Sequence, residues 1–179
     1  HAGVEPEKGM SAIRIASEIV TRLPNGRLDD ETTFNVGTIE GGSVRNAVPE
    51  NTLVRGEFRS RNLETLDDLR LQISEVLGEV RRMFPEAVLE DHLHTDFETY
   101  TLTDDDPATK TVMAALRSLG MEPTMQSSGG GTDGNIFRRR GISAVVVGMA
   151  DHNMHTVREY VTIPDLVDAA HLCETLIRG

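Results

Sequence analysis

The stretch Leu53-Val54-Arg55-Gly56-Glu57-Phe58-Arg59-Ser60, followed from Leu63 to Met83 by a helical pattern, decides the fold class. Val54, Gly56 and Phe58 fall on one face of an extended chain, with Arg55, Glu57 and Arg59 on the other, as successive strand side chains alternate. Leu66, Leu69, Ile73, Leu77 and Val80 then recur at three- and four-residue spacing, the apolar stripe of a helix. Upstream, Thr32 to Ile39 reads as a strand in which Phe34 and Val36 alternate with polar residues, and Gly41-Gly42 breaks it. Residues 7–23 read as an amphipathic helix through Met10, Ile13, Ala16, Ile19 or Val20, and Leu23; Pro24-Asn25-Gly26 stops it. Downstream, Ala87 to Thr95 reads as a further strand. Helix, strand, strand, helix, strand is the order of a split β-α-β-β-α-β unit without its first strand. A sheet one strand short has an open edge, which invites pairing with another chain.

The second half has a different grammar. Asp104-Asp105-Asp106-Pro107 places an acidic cap before a first-turn proline, predicting a helix that runs to Leu119 with Gly120 just past its end. A glycine loop, Ser127 to Gly134, follows. Residues 142–147 are nearly all apolar, as in a strand buried on both faces of a parallel sheet. Pro164 to Ile177 closes the chain as a helix. The expected class is therefore α/β with α+β: a two-layer unit over 1–100 and a piece of a parallel α/β domain over 101–179.

Composition narrows the function. The 179 residues carry 18 Lys+Arg against 29 Asp+Glu, a net charge of −11, which speaks against nucleic acid because a duplex needs a basic footprint. No apolar run reaches membrane-spanning length. The one cysteine, Cys173, can form neither an intrachain disulfide nor a cysteine zinc cage, and a reducing cytoplasm fits. The abrupt opening at His1, without Met, suggests a fragment of a longer protein.

Several residues carry chemistry on either of two readings. His155 follows the apolar 142–147 segment, at the strand end where open α/β sheets build their sites. With Glu159 nearby it reads as a zinc ligand with a carboxylate orienter, or equally as a loop histidine; His152 competes with it. Gly129-Gly130-Gly131-Thr132-Asp133-Gly134 outlines a dinucleotide fingerprint. Yet 123–128 makes a poor buried strand, and 135–140 is too short for a crossover helix. A tight turn, or a backbone-rich wall beside a metal, reads the same residues. His92 and His94 would face one side of a strand, as zinc ligands or as outward polar residues. Arg59 and Asn46 could grip a carboxylate, Arg through two parallel hydrogen bonds, or Arg59 is simply an exposed strand residue. No G-x-S-x-G elbow supports a serine hydrolase.

Taken together and in order, these blocks resemble the family of zinc-dependent aminoacylases, carboxypeptidase G and peptidase T, nearest its peptidase-T-like (tripeptidase-like) branch. The resemblance rests on His1-Ala2-Gly3, Pro6-Glu7-Lys8-Gly9-Met10-Ser11-Ala12-Ile13, Gly41-Gly42, Asn46-Ala47-Val48-Pro49 and Gly56-Glu57-Phe58-Arg59. It continues with 128–135, Gly141-Ile142, His155-Thr156 and Glu159-Tyr160-Val161. It implies a zinc-binding α/β catalytic domain with an inserted ferredoxin-like lid that forms a homodimer. Residues 1–100 would be the lid without its first strand, and 101–179 the catalytic domain's C-terminal portion. The family's N-terminal segment, which carries most metal ligands and the general-base Glu, has no counterpart here.

The resemblance assigns His155 as the last zinc ligand. It makes His1 the lid histidine that steadies the oxyanion in the partner subunit's site. Asn46 and Arg59 hold polar groups of the substrate, and Gly130, Gly131, Thr132 and Asp133 line its cleft. The implied parent is a dimeric zinc exopeptidase, with two zinc ions and short peptides as substrates, and the fragment alone is expected to be inactive. A related amidohydrolase acting on N-acyl amino acids is the alternative. From a different class come a dinucleotide-binding fragment and a non-catalytic interaction module.

Overall fold

The computed structural model describes residues 1–148 and 150–179. Two compact units divide the chain, His1–Leu93 and His94–Gly179.

The first unit packs two helices against a three-stranded antiparallel sheet. A single 3₁₀ turn, Pro6–Lys8, precedes helix α1, Ala12–Arg22. The helical pattern over 7–23 is thus interrupted, and the interruption has a cause. Gly9 is extended, and a Cβ there would stand 3.0 Å from Val48, so the chain presses close to the 41–51 connection before turning into α1. Ser11 caps α1 by accepting from the Arg14 amide at 3.3 Å. After the two-residue strand β1, Gly26–Arg27, come β2, Thr33–Gly41, and β3, Thr52–Arg59, in the order β1-β2-β3. The β1 hairpin was not evident from the pattern because two residues show no alternation. Helix α2, Leu63–Met83, starts on Asn62, whose side chain accepts from the Glu64 and Thr65 amides.

Register follows the apolar pattern, since a one-residue slip would turn every side chain over. Phe34 lies opposite Phe58, with ring centroids 5.7 Å apart and planes 10° from parallel. Phe34, Leu69, Ile73 and Leu77 form the core, with Ile19, Leu23, Val36, Phe58 and Leu89 packed around them. A bulge between Val36 and Thr38 shifts the ladder at Gly37. Gly56 faces Val36, and a Cβ on it would stand 2.6 Å from the Asn35 carbonyl oxygen. Gly56→Ala should therefore destabilise the chain by about 1–3 kcal/mol, the usual range for overpacking; urea unfolding of the variant checks this.

The Ala87–Thr95 strand does not form. Val88 is 88% exposed, and the segment is tethered by Arg81, which donates to the Leu89 carbonyl at 3.1 Å and to Asp91 at 2.6 Å. Leu89 packs on the core of the unit, but no strand pairs with the segment among the described residues.

The second unit holds α3, Pro107–Ser118, α4, Asp133–Arg139, and α5, Ile163–Arg178. Asp106 caps α3, and Gly120 takes the left-handed conformation just beyond it, at φ +76°. Residues 142–147 are not a strand: Ile142 is 53% and Val146 50% exposed. A strand exists through its ladder, and among the described residues of this unit no neighbouring strand is present. The pairing there is one antiparallel bridge, His152 with Tyr160.

Candidate functional site

In the first unit, His1 and Asn46 are brought together through the backbone. The Ala2 amide donates to the Asn46 carbonyl at 2.9 Å, and the Gly3 amide donates to His1 Nδ1 at 3.2 Å. The His1 ring is thereby oriented with its Nδ1 as acceptor, and Nε2 is the nitrogen left to act on a neighbour. Both residues are exposed. Arg59 ends β3 opposite Thr33, and its Nη2 pairs with Glu57 at 2.7 Å. A substrate carboxylate at Arg59 would share it with that acidic neighbour.

In the second unit, Gly130 to Asp133 sit at the start of α4. Thr132 Oγ accepts from the Gly134 amide at 3.2 Å, and the Thr132 amide donates to Asn135 Oδ1 at 3.0 Å. Asn135 also donates to the Glu98 carbonyl at 2.8 Å, fixing the loop to the 94–100 segment. Gly131 lies flat against Phe97, where any Cβ would run into the ring. The segment before the loop is not a strand and α4 spans seven residues, so the strand–turn–helix context of a dinucleotide fingerprint is missing among the described residues.

The sequence reading missed the pair that ties this unit together. Arg138 donates to Asp106 Oδ2 at 2.6 Å and to the Ala144 carbonyl at 2.6 Å, with its guanidinium 5.9 Å from the Tyr100 ring centroid. Asp106 Oδ1 accepts from the Ala108 and Thr109 amides and from Ser143. One carboxylate thus caps α3 and anchors both α4 and the 142–147 segment. Only the capping role is written in local sequence; a partner 32 residues away leaves no periodic trace. The hydrogen bond from Arg138, aided by the Thr109 amide and Ser143, outweighs desolvation and holds the Asp106 carboxyl well below the ordinary carboxylate range. A carboxyl depressed in the folded state stabilises above its unfolded pKa, about 3.9, and that contribution is lost as pH falls through the folded value. The melting-temperature gap between wild type and Asp106→Asn should accordingly be constant near neutrality and shrink below about pH 4. Thermal unfolding of both chains across pH checks it.

His155 sits in a tight loop in the left-handed region, φ +63°, as does Asn153 at +57°. Its amide donates to Glu159 Oε2 at 2.8 Å. Glu159 therefore holds the His155 backbone rather than the ring nitrogen expected of an orienting carboxylate. The His155 ring is exposed. His152 is differently engaged: its ring stacks on Tyr160 at 4.7 Å, and its Nε2 lies 3.6 Å from Asp165. His94 pairs with Asp96 at 3.0 Å and is not on a strand, so the shared-face reading of His92 and His94 lapses. Among the described residues no group of three or more His, Cys, Asp or Glu is placed to hold a metal ion.

Comparison with known proteins places the first unit. Residues 1–82 match the family described as peptidase dimerisation domain, of the M20 type. The rest of the chain stays with it in its relatives. An uncharacterised Bacillus subtilis protein, YqjE, is 33% identical over 99% of this chain and 47% of its own length. A succinyl-diaminopimelate desuccinylase of Helicobacter hepaticus is 25% identical over 93% of this chain and 37% of its own. The crystal structure of aminopeptidase PepT from Bacillus cereus superposes with a TM-score of 0.74 at 30% identity, covering 99% of this chain and 47% of that one. The chain thus spans less than half the length of these relatives. The dimerisation domain, built here as a small antiparallel sheet under two helices, fits a lid-domain fragment within a mixed α/β chain. Among the described residues no helix is long and apolar enough to cross a membrane.

Proposed function

We propose that this chain supplies the lid and the C-terminal catalytic portion, roughly 1–100 and 101–179, of a dimeric zinc-dependent exopeptidase acting on short peptides. The observation that carries the reading is the continuous likeness to aminopeptidase PepT over 99% of the chain, across both units. The desuccinylase relative favours a second reading, an amidohydrolase that removes an acyl group from an amino acid. Both are hydrolyses of an amide bond by the same chemistry. A panel of tripeptides against N-acyl amino acids, given to the full-length enzyme that carries this chain, separates them.

In this reading His155 is one zinc ligand, and the remaining ligands lie outside the chain. Bound zinc would supply a water of lowered pKa and a Lewis acid for the amide carbonyl. His1, oriented through Nδ1, stabilises the oxyanion in the partner subunit's site, where donors aimed at developing charge act most strongly. Asn46 and Arg59 fix the polar end of the substrate, and Gly130 to Asp133 present backbone to it. A reducing cytoplasm fits the single, exposed Cys173.

Metal content after dialysis of the full-length enzyme tests the ligand assignment. The His155→Ala variant should hold less zinc, and His152→Ala should keep full stoichiometry at saturating zinc. Loss from His152→Ala with retention in His155→Ala contradicts the assignment. Dimerisation has its own test. The edge strand β3, and the length of β2 beyond its two-residue pairing with β1, offer an open sheet edge that a second copy can satisfy. Sedimentation equilibrium of the chain at high concentration should show a dimer; a strictly monomeric profile counts against it.

A further inference from the structure

Resting on the reading of His155 as a zinc ligand, we propose that His152, Tyr160 and Asp165 form a clasp that positions His155, with His152 as the positioning residue. Four observations on separate atoms converge on it. First, the His152 and Tyr160 backbones exchange both hydrogen bonds, at 3.0 and 3.2 Å, closing residues 153–159 into a loop. Second, the two side chains stack above that closure, centroids 4.7 Å apart and planes 18° from parallel. Third, His152 Nε2 lies 3.6 Å from Asp165 Oδ2, which also accepts from Thr162 Oγ at 2.6 Å at the start of α5. The loop is thus fastened to a helix end. Fourth, the loop it closes holds non-glycine residues at positive φ, Asn153 and His155. Such conformations cost free energy and persist only where the surroundings over-determine them.

Inside the loop every turn is specified. The Thr156 amide and hydroxyl both donate to the Asn153 carbonyl, the Arg158 amide donates to Thr156 Oγ, and Glu159 accepts from the His155 amide. These short-range bonds set the shape of the loop, and the clasp sets its closure. A ligand's ring must be held to within about half an ångström by neighbours whose own rotamers are locked, and the histidine three residues upstream does this through stacking. The two histidines of the segment therefore have separate tasks: one binds, the other closes.

The test is amide hydrogen exchange by NMR on the 179-residue chain, with the His155 amide as reporter and the α3 amides as control for global stability. His152→Ala should speed exchange at His155 by about tenfold, as a local opening, and leave α3 unchanged. His152→Phe, which keeps the stack and loses the contact with Asp165, should restore most of the protection; Asp165→Asn, whose side-chain oxygen can still accept from the Thr162 hydroxyl at the start of α5, should sit near wild type. Exchange at His155 that is unaltered in His152→Ala, or equally fast in His152→Ala and His152→Phe, overturns the clasp. Zinc content of the full-length enzyme after dialysis reads the ligand assignment separately. Exchange as expected with zinc fully retained in His155→Ala overturns the ligand reading and leaves the clasp standing. Zinc lost from His155→Ala, with exchange at the His155 amide unchanged in His152→Ala, removes the clasp and leaves the ligand reading.

Discussion

Replacing Phe34 by alanine should cost about 3–5 kcal/mol, the range for a buried phenylalanine, out of the 5–15 kcal/mol that folded domains possess in total. Phe34 is 4% exposed and touches every part of the first unit's core. It sits at the register point between β2 and β3, stacked on Phe58, and under the α2 residues Leu69, Ile73 and Leu77. Truncation leaves a cavity that two helices and a strand border, and such a cavity closes only partly. The expected result is a shift of the urea midpoint of the first unit large enough to populate its unfolded state in mild denaturant. Val88→Ala, at an exposed position outside any element, is the control and should lie within about 0.5 kcal/mol of wild type. A Phe34→Ala midpoint as close to wild type as that of Val88→Ala would contradict the placing of the core.

The same residue shows why the first unit was legible. Phe34, Val54 and Phe58 announce strands by alternation, and the α2 stripe announces a helix whose bounds, Leu63–Met83, match the reading residue for residue. Pro24 marks a stop through its own chemistry. The readings that failed share one cause. Ala87–Thr95 and the 142–147 segment were read as strands from composition, but a strand is a relation between two segments, and among the described residues neither has a strand paired to it. Residues 142–147 have the composition of a strand buried on both faces, yet two of their large side chains are half exposed. Composition records what a segment is suited to, and its ladder depends on which neighbour is there.

The candidate site was legible in a similarly divided way. Glu159 was read as a partner of the His155 ring, and the structure gives it to the His155 backbone. Spacing of four residues places the two near each other without saying which atoms meet. The Asp106–Arg138 pair and the His152–Tyr160 stack were invisible for the same reason: each depends on how a loop closes. Positive φ at Asn153 and His155 shapes the loop that the His152–Tyr160 bridge closes; asparagine and histidine tolerate that region better than most residues, but their presence alone does not say where the chain turns.

The second large effect concerns catalysis itself. A zinc ion takes about four ligands from protein and water, and catalytic sites commonly draw three from protein. Of the described residues, His155 alone is assigned to that role, and no cluster of three or more ligating side chains stands ready. One imidazole cannot retain zinc through dialysis, and without the metal an amide bond is not hydrolysed at a useful rate. Under the proposed function the effect expected is therefore complete rather than partial: no turnover by this chain alone. The most direct measurement is zinc content and tripeptide hydrolysis of the purified 179-residue chain, after dialysis and then with zinc restored. The account predicts no retained zinc and no hydrolysis in either condition; measurable zinc-dependent hydrolysis by this chain alone would contradict it.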